Sequence, residues 1–152
     1  MQIVVVGGRA SGRTTIVAAL IEALGESVKV TDMGDVQTVA DEMRLVPVCQ
    51  DIEEMSIRLS TIDRCMERLR ADPPRVVLHL RTSPHRQHIA MRRRRLPEDD
   101  ELRLGFLREQ GKYLDAVVPQ VSQRIGAFYF PVIVDKGVTY RDFLPELQRL
   151  LS

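Results

Sequence analysis

The chain has 152 residues, 44% of them hydrophobic and 28% charged, with a formal net charge of +1. That is enough sequence for one domain with a buried core, and the near-neutral balance excludes a general electrostatic attraction to nucleic acid. The first apolar run is too short for a signal peptide and no stretch reaches membrane-spanning length, so the expected location is cytoplasmic.

Residues 2–6 read as a buried strand. Ile16, Val17, Leu20, Ile21 and Leu24 then fall on one helical face, with Gly25 as the stop. Ser27 to Thr31 give a second short strand ending at Asp32. Val36, Val39, Ala40 and Met43 predict a short helix capped by Asp35. Leu45 to Cys49 are ambiguous, and Pro47 would confine any strand there to an edge. Asp51 with Glu54 makes a capping-box-like start. Ile52, Met55, Leu59, Ile62, Met66 and Leu69 then recur at alternating spacings of three and four, which predicts a long helix ended by Asp72-Pro73-Pro74. That stripe reads as core packing. The coiled-coil alternative is weaker, because the repeat spans under three heptads.

Arg75 to Arg81 form a third strand. Ser83 caps the next helix, with Pro84 at its first position, and that helix runs into Arg92-Arg93-Arg94-Arg95. Pro97 and an acidic turn open another helical stretch through Ala116 and on toward Arg124. Phe128 to Val134 give the last strand, ending at Asp135. Thr139 and Asp142 make a second capping box before a helix with Phe143, Leu147, Leu150 and Leu151 on its apolar face. Strands that are nearly all apolar and alternate with helices imply a three-layer α/β fold. It is a mostly parallel sheet with helices on both faces, in a single domain spanning 1–152. Cys49 and Cys65 have no metal-ligand spacing and read as reduced core thiols. No metal-ligand set is evident among His79, His85 and His88, and His79 reads as a core or rim residue.

Residues 7–15 read Gly-Gly-Arg-Ala-Ser-Gly-Arg-Thr-Thr, directly after Ile3-Val4-Val5-Val6. They fit the phosphate-loop pattern G-x-x-x-x-G-K-[ST] at every specified position but one: Arg13 stands where lysine is expected. Such a loop wraps backbone N–H groups around a polyphosphate and aims a helix N-terminus at it. Gly7, Gly8, Arg9, Ala10, Ser11, Gly12, Arg13, Thr14 and Thr15 are therefore the expected ATP-binding residues, and Thr14 the expected Mg²⁺ ligand. The plain alternative is a Gly-rich turn. Only Lys29, Lys112 and Lys136 among 22 basic residues are lysines, so an arginine at position 13 follows a chain-wide skew. Arginine is planar and bidentate where lysine is a compact charge, so its ability to replace the lysine stays open. Ligands of such sheets bind at the C-terminal strand ends, which here carry the loop, Asp32, Arg81-Thr82-Ser83 and Asp135. A strand-end carboxylate such as Asp32 can accept a hydroxyl proton, although Asp35 competes for the role and a turn aspartate is the ordinary reading. Arg92 and Arg94 can supply positive charge to a transferring phosphate; a solvated basic helix end is the alternative, and contact with a DNA strand is a third and lesser one.

In these segments the chain resembles the deoxynucleoside kinase family, relatives of thymidylate kinase. GGRASGRTT is similar to that family's glycine-rich loop, and Thr31-Asp32 falls where the family has its catalytic carboxylate. Leu78-His79-Leu80-Arg81-Thr82-Ser83-Pro84 is similar to the family's strand-to-helix signature. Arg92, Arg94, Glu98 and Asp99, followed by Leu102, Leu104, Phe106 and Leu107, resemble its lid arginines, acidic pair and following helix. Val132-Ile133-Val134-Asp135 resembles its last strand and adenine-side loop. The resemblance implies a kinase-like P-loop fold that transfers the γ-phosphate of ATP to a deoxynucleoside-type hydroxyl. The acceptor would be a nucleoside, a nucleotide or a modified base within DNA. Asp32, Arg13, Arg92 and Arg94 would be catalytic, Mg²⁺ and ATP bound at the loop, and Glu98 and Asp99 in contact with substrate. A homodimer is compatible with the sequence. Two departures stand against it: Arg13, and the absence of a Glu-Arg-Ser strand motif, since Asp63-Arg64 lies inside a helical stripe. They support the alternative, a nucleotide-binding module with a degenerate kinase fold and no chemistry.

Overall fold

Four apolar runs become the strands β1 (Gln2–Gly7), β2 (Lys29–Asp32), β3 (Val76–Arg81) and β4 (Phe128–Ile133) of one sheet. The computed structural model describes residues 1–94, 104–134 and 139–152. The strand order is β2-β1-β3-β4 and every pairing is parallel. Register sets Val5 opposite Asp32, Val4 opposite Val77 and Leu80 opposite Val132. All strand ends that bear polar groups therefore share one rim.

The helices are α1 (Arg13–Leu24), α2 (Gly34–Leu45), α3 (Ile52–Ala71), α4 (Pro84–Arg94), α5 (Leu104–Ile125) and α6 (Tyr140–Leu151). Strand alternation decides which side each one covers. Val4, Val6 and Val77 face α2, α3 and α5, packing with Val36, Val39, Met66, Leu69, Leu114 and Val118. Ile3, Val5, Val76 and Leu78 face the other way, against Leu20 of α1 and Phe143 and Leu147 of α6. The expected layering is what forms: a parallel sheet covered on both faces.

Several local expectations need correction. Asp35 does not cap α2. Met33 occupies that position at φ 65°, and Gly34 follows at φ 61°. Asp35 sits one residue into the helix and takes a two-pronged bond from Arg68 of α3, Nε and Nη2 each at 3.0 Å from its carboxylate. The guanidinium holds the Asp35 carboxyl below its ordinary range. The ambiguous segment around Pro47 resolves as a single 3₁₀ turn, Val46–Val48. Ile21, placed on the buried face of α1, is half exposed.

The stripe of α3 is core only over its second half. Met66 and Leu69 are buried and Ile62 packs against the same cluster, but Ile52, Met55 and Leu59 are exposed, Ile52 at 83%. The helix overhangs the layer beneath it. Its start is as expected, with the Asp51 carboxylate accepting from the Glu54 N–H at 2.7 Å. The start of α6 also matches, Thr139 N–H donating to Asp142 at 2.6 Å. Pro97, Glu98, Asp99, Leu102, Arg95 and Asp135 lie outside the described residues. At the start of β4 Phe128 donates its N–H to the carbonyl of Arg75, just before β3, and just past the end of β4 Val134 donates to that of Arg81. By strand alternation Pro131 turns its nitrogen to the outer side of the sheet.

Candidate phosphate-binding site

The strand β1 ends at Gly7 and the chain turns through Gly8–Gly12 into α1. Two left-handed residues make the turn, Ala10 at φ 57° and Gly12 at φ 85°. A side chain on Gly12 would strain that backbone. Gly12 caps α1 without a side chain of its own, so the first-turn N–H groups at Arg13, Thr14 and Thr15 have no side-chain cap at that end. The Ser11 hydroxyl is buried and has no partner. A cavity of about 260 Å³ opens over Gly8, Ala10, Ser11, Gly12, Arg13, Thr14 and Thr15, with Ala90 and Arg94 of α4 as its far wall. A helix N-terminus without a side-chain cap, opening on a cavity lined by the loop, fits an anion such as a polyphosphate.

Arg13 does not point at empty space. Its Nε donates to Asp32 Oδ1 at 2.5 Å and its Nη1 to the Gly7 carbonyl at 2.5 Å. The ion pair ties the first turn of α1 to the end of β2, and its two side chains are 18% and 34% exposed. The structure thus sets Arg94 at the loop cavity and joins Asp32 to the loop through Arg13; Asp32 is not among the residues lining that cavity. Arg92 is exposed on α4, and the residues lining the loop cavity include Arg94 and not Arg92. Asp63 and Arg64 lie within α3, exposed, as their spacing predicts.

Sequence reasoning missed three glutamines. Gln37 of α2, 2% exposed, accepts the Gly7 N–H at 3.1 Å. Gln110 of α5 accepts the Arg9 N–H at 3.0 Å. Gln87 of α4, also 2% exposed, donates to the Arg9 carbonyl at 2.7 Å. Each stands in an otherwise apolar helical stripe: Gln37 beside Val36 and Ala40, Gln87 before Met91, and Gln110 between Leu107 and Leu114. A polar residue at a core position was the available signal. Asp41, one turn beyond Gln37, was missed too. Burial pushes its carboxyl above the ordinary range, against the opposing pull of Arg44, Arg13 and the Gln110 amide. Arg44 in turn stacks over the Phe106 ring at 4.9 Å.

A second cavity, of about 310 Å³, meets the loop at Gly8 and continues past Thr82, Ser83 and Gly111. At its side Arg81 grips Asp115 through Nε at 3.0 Å and Nη2 at 3.2 Å. His79 is buried in β3, as its pattern implied, with Nδ1 2.8 Å from the Tyr129 hydroxyl. Its pKa is pushed down to about 4, chiefly by burial. Among the described residues no group of three or more His, Cys, Asp or Glu is placed to hold a metal ion. Among the described residues no helix is long and apolar enough to cross a membrane.

No protein-family model matches the chain, and no curated protein sequence matches it. Solved structures do. Deoxyadenosine kinase from M. mycoides with bound dCTP aligns with a TM-score of 0.70 at 12% identity, covering 99% of this chain and 98% of that one. The same enzyme with bound dATP aligns at 0.65 and 12% identity, covering 99% of each chain. Its form with the products dCMP and a flexible dCDP aligns at 0.64 and 10% identity, with 99% and 98% covered. At such identities the likeness is one of fold. The chain shares the parallel α/β fold of these deoxyadenosine kinase structures over nearly its whole length.

Proposed function

We propose that the chain is an ATP-dependent phosphotransferase acting on a deoxynucleoside-type hydroxyl of a nucleoside, a nucleotide or a modified base in DNA. The observation that carries this reading is a cavity headed by a helix N-terminus and lined by Arg13 and Arg94, with Asp32 bonded to Arg13 at the neighbouring strand end. When bound, ATP with Mg²⁺ supplies the phosphoryl group and a divalent charge. The loop holds the phosphate oxygens through backbone N–H groups at Gly12–Thr15, those of Arg9 and Ser11 being taken by Gln110 and the Gly8 carbonyl, and Thr14 offers its hydroxyl to the metal. Arg13 exchanges a carboxylate for phosphate oxygens, which leaves Asp32 with a free carboxylate beside the acceptor. Asp32 then takes the proton of the attacking hydroxyl. Arg94, with Arg92 on the same helix end, balances charge as it moves to the leaving oxygen. Glu98 and Asp99 belong to this proposal as substrate contacts, and a cytoplasmic setting as its location.

One observation favours a second reading, a nucleotide-binding module without turnover. Arg13 is already satisfied by Asp32 and the Gly7 carbonyl, so binding phosphate means giving up existing bonds. Two measurements separate the readings. Millimolar ATP with Mg²⁺ should raise the melting temperature, since a ligand that binds only the folded state stabilises it by mass action, and Gly12→Val should abolish the shift. ATP consumption is then followed with nucleosides, nucleoside monophosphates and DNA as acceptors. A thermal shift with turnover on one acceptor class supports the enzyme. A shift with none supports the module, and no shift at all removes both.

A further inference from the structure

The Arg9 peptide group is held from both sides. Gln110 of α5 accepts its N–H and Gln87 of α4 donates to its carbonyl. Gly8 is bare for the same reason. A Cβ there would lie 2.4 Å from Gln87 Nε2 and 3.2 Å from Gln110 Oε1. The same helix that carries Gln87 also forms the far wall of the loop cavity. Gln87, Ala90 and Arg94 follow at spacings of three and four, so they share one face of α4, and Ala90 and Arg94 line the cavity. Buried amides are costly unless hydrogen-bonded. Gln87 meets that need at the loop backbone, where its amide fastens α4 to the Arg9 peptide.

We propose that Gln87 is a positioning residue: through the Arg9 carbonyl it couples the phosphate loop to α4, so that the loop and the wall bearing Arg94 move as one body. Gln110 fixes the same peptide to α5 but lies on a different helix from Arg94, so it holds the loop without carrying the arginine. The proposal rests on the loop being a phosphate site, and it also makes a claim about the ligand-free protein.

Amide hydrogen exchange on the ligand-free chain tests it first, comparing the unmodified protein with Gln87→Leu and Gln110→Leu. Gln87→Leu should speed exchange about tenfold or more both at Arg9–Ser11 and along residues 88–94 of α4. Gln110→Leu should speed it at Arg9–Ser11 only, while β3 and α6 stay unchanged in both variants. Faster exchange at the loop with α4 unmoved would overturn the coupling, as would equal behaviour of the two variants. If Gln87→Leu is not recovered folded, Gln87→Asn, one methylene shorter, is read the same way. ATP titration gives the second arm. In the unmodified chain ATP with Mg²⁺ should slow exchange in the loop and α4 together, and in Gln87→Leu in the loop alone. Protection that stays joint in Gln87→Leu rejects the coupling. An unmodified chain that shows no ATP effect rejects the phosphate-site reading instead and leaves the ligand-free comparison to decide the joint.

Discussion

Arg13 serves two acceptors through one planar fork, the Asp32 carboxylate and the Gly7 carbonyl. A lysine ammonium is a point charge on a flexible stem and cannot reproduce that geometry. On the proposed reading the arginine is an adapted group, so Arg13→Lys should lower turnover about tenfold and Arg13→Ala should lower it further. Asp32→Asn keeps the shape and removes the proton acceptor. It should depress turnover about a hundredfold or more while ATP affinity, read by thermal shift, is spared. Steady-state assays of the three variants check both statements. Turnover rising in Arg13→Lys would mean a decayed lysine, and unchanged turnover in Asp32→Asn would pass the role to Asp41. That residue has the half-buried surroundings a base uses, and burial outweighs the pull of Arg44 and Arg13 on its carboxyl.

The long helix α3 shows how far a periodic pattern can be read as burial. Its stripe is regular from Ile52 to Leu69, yet only the second half meets the sheet-covering layer. Leu69→Ala should therefore cost about 2–5 kcal/mol of stability, the range for a buried leucine that leaves a cavity. Ile52→Ala should stay within about 0.5 kcal/mol, as surface changes do. Urea unfolding of the two variants distinguishes them, and equal losses would mean that the overhang packs after all. Period and propensity are local properties, so element type and order could be read from residues alone: strand runs, the Asp51 and Thr139 caps and the glycine loop all stand where their spacing places them. How far a neighbouring layer extends is not local. For the same reason the loop's donors and its arginine were legible, while Gln37, Gln87 and Gln110 were not, since each becomes meaningful only when its helix is laid against the loop. The Arg13–Asp32 bond likewise joins residues nineteen apart in sequence. Only the strand register brings them level.

Stability of the whole molecule should respond to pH through His79. Burial lowers its folded pKa to about 4 from 6.5, with Arg81 adding to the shift and Asp115 opposing it; Tyr129 accompanies the ring on β4. In the unfolded chain the imidazole binds its proton near pH 6.5, so that stabilisation is present in full above that value. It is lost as pH falls from 6.5 to about 4, where the folded protein must protonate a buried ring. The linked loss is roughly 3 kcal/mol. His79→Gln should flatten the melting temperature across this window relative to the unmodified chain. A slope that persists undiminished would assign the acid sensitivity elsewhere.

The outward nitrogen of Pro131 bears on how copies of this chain meet one another. An unpaired strand edge is a template on which a second chain can build, and it recruits by offering donors and acceptors in unbroken alternation. On the free side of β4 the alternation is interrupted in the middle, because a pyrrolidine ring stands where one N–H would be. The opposite border is the four-residue β2, which begins at exposed Lys29, too brief and too charged to seed growth. Parallel pairings between distant segments are slow to form, and in this all-parallel sheet both margins lack the unbroken edge on which a second chain would build.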